Sequence, residues 1–410
     1  MLRRKSAAAL VFCVLSHACS CGFDPGLISE GSSIRKLQAD NLESEEQIEW
    51  PAYPSEQQLQ QEDRDRNQWI TDTPHQPGDD LRQALDKAAF PSSTSKGLVI
   101  LTSGSKFAFD HLLPRWLDSL KHTRDGDLTR HAVVGALGQP ALEFCKKSNA
   151  HHQHHCAAVS WPGPETQYHF GDDWYVAATL SKLELITNVL SLDYSLFWVD
   201  TDIVMFASPM QYLEDLAVDM AVGLERCDVV ANFSSGFPGP FNFNTGTILL
   251  KATAAGRRFV RSWLGFQKRH LLYWTDADFD RSDGMQRRSD QVTLNNYALP
   301  NLVSDTPDRP HYLRIQGLSH QHFPNFCGGP CGCQGTQSIK PPQFIRFENQ
   351  QGHLMSGRLV CPRHTVDDFF TFHFPCTWST AEKAALLDTY QAMADRMYPK
   401  PAEGHAASSD

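Results

Sequence analysis

The sequence predicts an α/β domain with a Rossmann-like, mostly parallel central sheet and helices on both faces. Three observations predict it. Short, continuous apolar runs recur, which is how strands buried on both faces read. Segments with apolar residues at helical spacing separate these runs. Several runs stop at small polar or acidic residues, the end at which open α/β sheets present their ligands.

The first run, Leu98-Val-Ile-Leu-Thr102, ends in Ser103-Gly104-Ser105. An amphipathic helix is predicted over 109–120, then strands over 131–137 and 157–160. Between residues 174 and 190, Val176, Leu180, Leu183, Ile186 and Leu190 recur at helical spacing. A fourth strand over 196–199 runs directly into Asp200-Thr201-Asp202. Residues 220–224 and 247–250 read as further strands and 256–271 as a helix.

The 410 residues carry 37 Lys+Arg against 47 Asp+Glu, a formal net charge of −10, with no basic block. That excludes the electrostatic footprint of a nucleic-acid binder. With no apolar run near the ~18 residues of an ordinary spanning helix, a polytopic membrane protein is excluded as well.

Arg3-Arg4-Lys5 precedes a short, mostly apolar run over 7–19. This is the pattern of a secretory signal, either cleaved or kept as a short signal anchor, over residues 1–21. Membrane contact is expected only through that anchor. Residues 22–96 are rich in Glu, Gln, Asp, Ser and Pro and read as a flexible stem. A short helix packed on the domain over 79–89 is the alternative for its last part. The catalytic-sized unit is expected over 97–397, followed by a disordered tail, 398–410.

Of 11 cysteines, Cys13, Cys19 and Cys21 fall in the signal region, leaving Cys145, Cys156, Cys227, Cys327, Cys331, Cys333, Cys361 and Cys376. In an oxidising compartment that even number reads as a set of disulfides whose pairing the sequence leaves open. Asn232 begins a glycosylation sequon. The His151–Cys156 stretch reads either as a zinc cluster or, since it lacks fixed ligand spacing, as a solvated loop. Cys327, Cys331 and Cys333 read as zinc ligands or disulfide partners.

The chemistry concentrates after the fourth strand. Asp200 and Asp202, at positions i and i+2 of an extended segment, would face one spot. Two hard oxygen ligands with open positions suit Mg²⁺ or Mn²⁺ bound together with substrate phosphates. Asn244-Thr245-Gly246 stands just before the 247–250 run, and Asp290-Gln291 follows later. Asp290 also reads as the N-cap of a helix over 291–297.

The set FWVDTDIV, FNTGTILLKA and SDQVTLNN, in this order, resembles the nucleotide-diphospho-sugar transferase domain of glycosyltransferase family 77 and its relatives, which are Golgi enzymes with the GT-A fold. The likeness covers about 97–397 and includes the opening strand and helix. It implies a nucleotide-diphospho-sugar donor, a UDP-sugar above all, and transfer of a pentose or galactose to a glycan or glycoprotein with retention. It implies Mn²⁺ or Mg²⁺ held by Asp200, Asp202 and His373, with Asp200 also on the donor ribose. It implies that Thr102 and Ser103 line the nucleotide pocket and that Lys182 and Lys383 face the diphosphate. Asn244 and Gly246 would floor the sugar subsite, and Asp290 and Gln291 would act at the sugar. The chain departs from the pattern at Ala136-Leu137-Gly138, where relatives carry an acid.

Two other readings compete. Asp200-Thr-Asp-Ile-Val204 also satisfies the nucleophile pattern of haloacid-dehalogenase-type phosphatases, which place it on their first strand. A lumenal scaffold protein that kept the fold and lost turnover is the non-enzymatic reading.

Overall fold

The computed structural model describes residues 77–161, 163, 173–225, 243–273, 289–299, 313–325, 368–375 and 380–397, with short strands between 333 and 360. The signal segment, the stem up to residue 76, Asn232 and the tail 398–410 lie outside the described residues. So do Cys227, Cys327, Cys331, Cys361 and Cys376, and the side chain of Cys333. Among the described residues, no helix is long and apolar enough to cross a membrane.

The folded unit begins before Gly97. Helix α1 (Asp79–Ala88) buries Leu81, Ala84, Leu85 and Ala88, and these join the core formed by the sheet. Their i, i+3, i+4 spacing makes one apolar stripe. The packed helix offered as the alternative is therefore what the chain forms at the end of the expected stem.

Strand β1 (Leu98–Ser105) leads into α2 (Lys106–His111) and α3 (Leu113–Lys121). The single helix expected here is split because Pro114 sits in the first turn of α3, where it has no N–H to continue α2. Then come β2 (Ala132–Leu137), α4 (Gln139–Ser148), β3 (His155–Val159), α5 (Asp173–Ser191) and β4 (Ser195–Val199). They are followed by β5 (Ile203–Met205), α6 (Met210–Asp215), β6 (Met220–Leu224), β7 (Phe243–Leu250) and α7 (Ala254–Tyr273). The chain continues with α8 (Asp290–Thr293), a π turn (Leu294–Ala298) and β8 (Ile315–Gly317). Four short strands, β9 (Cys333–Gln334), β10 (Gln337–Ser338), β11 (Gln343–Ile345) and β12 (Arg358–Val360), precede β13 (Thr371–His373) and α9 (Thr380–Met397).

The main sheet has seven strands in the order β3-β2-β1-β4-β7-β6-β8. β7 is antiparallel to both its neighbours, and every other pairing is parallel. The sheet is thus the mostly parallel one expected. Alternate residues of each strand feed opposite layers, as a period of two requires. Val99, Leu101 and Trp198 pack under α1, α5 and α7. Leu98, Ile100, Phe197 and Val199 pack under α3 and α4. A smaller core joins β5, β13 and α9 through Val204, Phe206, Phe372, Phe374, Leu387 and Tyr390, with Phe372 stacked on Tyr390 at 4.8 Å between centroids.

One disulfide, Cys145–Cys156, ties the end of α4 to β3. The His151–Cys156 stretch is therefore not a wholly solvated loop: His154 is fully buried.

Candidate active site

The carboxyl end of the sheet gathers nearly all the polar residues singled out above. β4 stops at Val199, and Asp200-Thr201-Asp202 forms a turn before β5 rather than the extended segment expected. The two acids still converge, because β13 pairs antiparallel with β5 and sets His373 opposite Ile203. Phe374 N donates to the Asp202 carbonyl at 3.1 Å, closing this ladder onto the turn. His373 Nε2 lies 3.3 Å from Asp202 Oδ1 and 3.9 Å from Asp200 Oδ2. One ligand atom from each of Asp200, Asp202 and His373 falls within 4.8 Å of the others.

Two lysines attend these acids. Lys383, in the first turn of α9, donates to Asp202 Oδ2. Burial alone would raise the pKa of Asp202, but the Lys383 ammonium and then the His373 ring hold its carboxyl well below the usual carboxylate range. Lys182, on α5, stands 3.6 Å from Asp200 Oδ1 and 2.9 Å from Asp290 Oδ2 and donates to the Thr245 carbonyl at 2.7 Å. Burial would lower its pKa, yet the charges of Asp200 and Asp290 outweigh this and raise it. No aligned hydrogen bond reaches Asp290 Oδ2, so we take the 2.9 Å contact as a Coulombic pair. Trp198 fixes the other side: its Nε1 donates to Asp200 Oδ1 at 2.7 Å, and Lys182 Nζ sits 4.9 Å over its ring.

β7 begins at Phe243, so Asn244, Thr245 and Gly246 are its first turns of ladder rather than a loop before it. Being antiparallel to β4, it delivers its N-terminal end to the same side of the sheet as Asp200, whose N–H donates to the Gly246 carbonyl at 2.9 Å. A Cβ added at Gly246 would overlap the imidazole of His373. The space above Gly246 is therefore filled by that ring.

Asp290 and Gln291 open α8, but the N-cap is Ser289, whose Oγ accepts from Val292 N. Asp290 is held instead by Lys182 and by Trp263 Nε1, which donates to its carbonyl at 3.2 Å. Sequence reasoning missed Glu225. Its Oε2 accepts from Asn244 Nδ2 at 2.6 Å and from Gln291 Nε2 at 3.4 Å, so it joins the two amides. The signal was present, an acid directly after the buried run of β6, which parallels β4. Thr102 and Ser103 continue β1 past the register pair Leu101↔Trp198 to the same end, and Thr102 Oγ1 is buried without a partner.

Two carboxylates and an imidazole form an oxygen-rich donor set with room for substrate oxygens, which suits Mn²⁺ or Mg²⁺. His373 is fixed by β13 and Gly246, so the residues present fit such an ion. A cavity of about 330 Å³ lined by Phe90, Asp125, Arg130, His131 and Ser208 lies elsewhere and shares no residue with this cluster.

An α/β sheet that brings acids, amides and paired lysines to its carboxyl end defines an enzyme acting on a charged, phosphate-bearing substrate. The particular kind follows from the sequence profile of nucleotide-diphospho-sugar transferases, which matches residues 127–346, more than half of the chain. The chain belongs to that family. The match is to the broad family, of which the family 77 resemblance is a narrower case.

No curated protein sequence matches. Among solved structures, the chain is similar to the glycosyltransferase GlyE of Streptococcus pneumoniae TIGR4, with 14% identity over 54% of this chain and 45% of that one, at a TM-score of 0.32. It is similar to a glycosyltransferase involved in glycosylation of the major capsid of PBCV-1, with 12% identity over 71% and 98%, at a TM-score of 0.35. It is likewise similar to galactosyltransferase LgtC in complex with donor and acceptor sugar analogs, with 12% identity over 74% and 98%, at a TM-score of 0.39. The chain thus spans under half the length of GlyE.

Proposed function

We propose that this glycosyltransferase moves a pentose or galactose from a UDP-sugar to a glycan or glycoprotein acceptor, with retention and with Mn²⁺ as its ion. The observation that carries this reading is the convergence of Asp200, Asp202 and His373 within 4.8 Å, flanked by Lys182 and Lys383. Those three side chains would hold the ion, which when bound supplies Lewis-acid neutralisation of the leaving diphosphate. Lys383 has a side chain 26% exposed and can turn from Asp202 to a phosphate oxygen. Lys182 is buried between Asp200 and Asp290 and keeps its charge where negative charge grows on departure of the nucleotide. Asp290, and Glu225 with the Gln291 and Asn244 amides bonded to it, would steady the oxocarbenium-like sugar.

We place the protein in the secretory pathway, in the Golgi lumen, with residues 1–21 as signal or anchor. The Cys145–Cys156 disulfide supports an oxidising compartment. The phosphatase reading loses its ground, since the acids follow the fourth strand in chain order and not the first.

The test is binding and hydrolysis of a panel of UDP- and GDP-sugars by the purified chain with Mn²⁺ and with chelator. Chelator-sensitive selectivity for one UDP-sugar is expected. A folded protein that binds no nucleotide sugar would return the weight to the scaffold reading.

A further inference from the structure

Away from the sheet end that carries Asp200, a second group of metal-ligating side chains stands where α4 meets β3. Cys145, in the last turns of α4, is bridged to Cys156 on β3. His154 precedes Cys156 by two residues, so both side chains leave the entering strand on one side. His154 and Cys145 are fully buried, and Cys156 is part-exposed. One ring nitrogen of His154 and the two sulfurs all lie within 4.8 Å of one another.

The imidazole is held through one of its nitrogens. Its Nε2 faces the Cys145 carbonyl at 3.2 Å, which fixes the ring proton on that nitrogen. Nδ1 keeps its lone pair and is buried with no hydrogen-bond partner among the described residues. A zinc-ligating histidine is held in this way, with the far N–H donated to a carbonyl.

We propose that Cys145, Cys156 and His154 form a Zn²⁺ site when their disulfide is reduced, so that this corner of the fold is tied by a sulfur–sulfur bond or by the ion according to the redox state. A dithiol reductant attacks Cys156 Sγ, the more accessible sulfur, and the S–S bond breaks. The second thiol of the reductant resolves the mixed disulfide; the reductant leaves as its own disulfide, and the protein holds two thiols. Zn²⁺ then displaces two protons as both sulfurs ligate as thiolates. His154 Nδ1 is the third ligand, and water takes the fourth position.

The test uses the full chain, reduced with a dithiol and freed of it without oxygen, then given Zn²⁺ alone or none. Alkylation of Cys156 is followed peptide by peptide by mass spectrometry. Zn²⁺ is expected to slow alkylation of Cys156 in the reduced chain. His154→Gln raises the Zn²⁺ concentration needed at least ~10-fold, whereas His151→Gln, on the exposed loop, leaves it unchanged. Equal Cys156 labelling with and without Zn²⁺ in the wild-type chain overturns the site, a comparison that needs no variant to fold. Undiminished protection in His154→Gln would remove the histidine from it.

Discussion

Lys182 Nζ lies 2.9 Å from Asp290 Oδ2, and the two side chains are only 7% and 4% exposed. The same ammonium stands 3.6 Å from Asp200, so one buried cation links the acid after β4 to the acid that opens α8. Removing it leaves the Asp290 carboxylate buried without its cation. Lys182→Met is expected to destabilise by about 3 kcal/mol, read as a lower urea midpoint. Combining it with Asp290→Asn should recover most of that loss. A wild-type midpoint for the single variant would refute the bridge.

Gly246→Ala places a methyl group where the His373 ring sits. His373 is buried and held by its ladder with β5, so it gives way only by disturbing that ladder. The expected cost is about 1–3 kcal/mol. Mn²⁺ affinity, measured by titration calorimetry, should fall with it, while Gly265→Ala, where an added Cβ meets nothing within 4 Å, should leave that affinity intact.

Asp202 makes stability depend on acid. Folding depresses its pKa, so it contributes stability above its unfolded value of about 3.9 and loses that contribution as pH falls towards the folded value. Urea unfolding of wild type between about pH 2 and 5 should show stability dropping more steeply than in Asp202→Asn. Parallel profiles would show that the Lys383 contact is energetically empty. At neutral pH the same variant should lose chelator-sensitive donor binding.

Glu225 positions two amides, and its removal should act on rate. Glu225→Ala is expected to lower kcat on the order of 10²-fold, as small misplacements near reacting atoms do. Its melting temperature should change little, since Glu225 is only half-buried. An unchanged kcat would place Asn244 and Gln291 away from the reacting sugar.

Helix α1 belongs to the core. Leu85 is fully buried, so Leu85→Ala should cost roughly 2–5 kcal/mol. A chain starting at Gly97 should unfold at markedly lower urea than one starting at residue 77. Equal midpoints would return α1 to the stem.

The β4–DxD segment was legible because a strand buried on both faces must be continuously apolar, so the first acids after it mark its end. The start of β7 was not, because Asn244-Thr245-Gly246 is polar and enters the ladder through distant segments, with Asn244 opposite Gly223 of β6 and the Gly246 carbonyl accepting from Asp200 N–H. Ser289 and Asp290 are both good N-caps, and only the Lys182 pairing decides which one is used for capping. Glu225 was marked only by its place directly after the buried run of β6, with no second acid two residues on to strengthen the signal. His373 is brought to Asp202 by the β5–β13 pairing between distant segments, which no local pattern specifies.

That pairing has a consequence for how the protein is made. All seven strands of the main sheet end by Gly317, whereas His373 and Lys383 come from β13 and α9. On a ribosome all seven strands are translated before either residue, so a nascent chain holds Asp202 without its two partners. A stop codon between β8 and β13 would keep every strand of the sheet and delete two of the groups at its working end. Such an allele would behave as an inactive copy and not simply as a missing one.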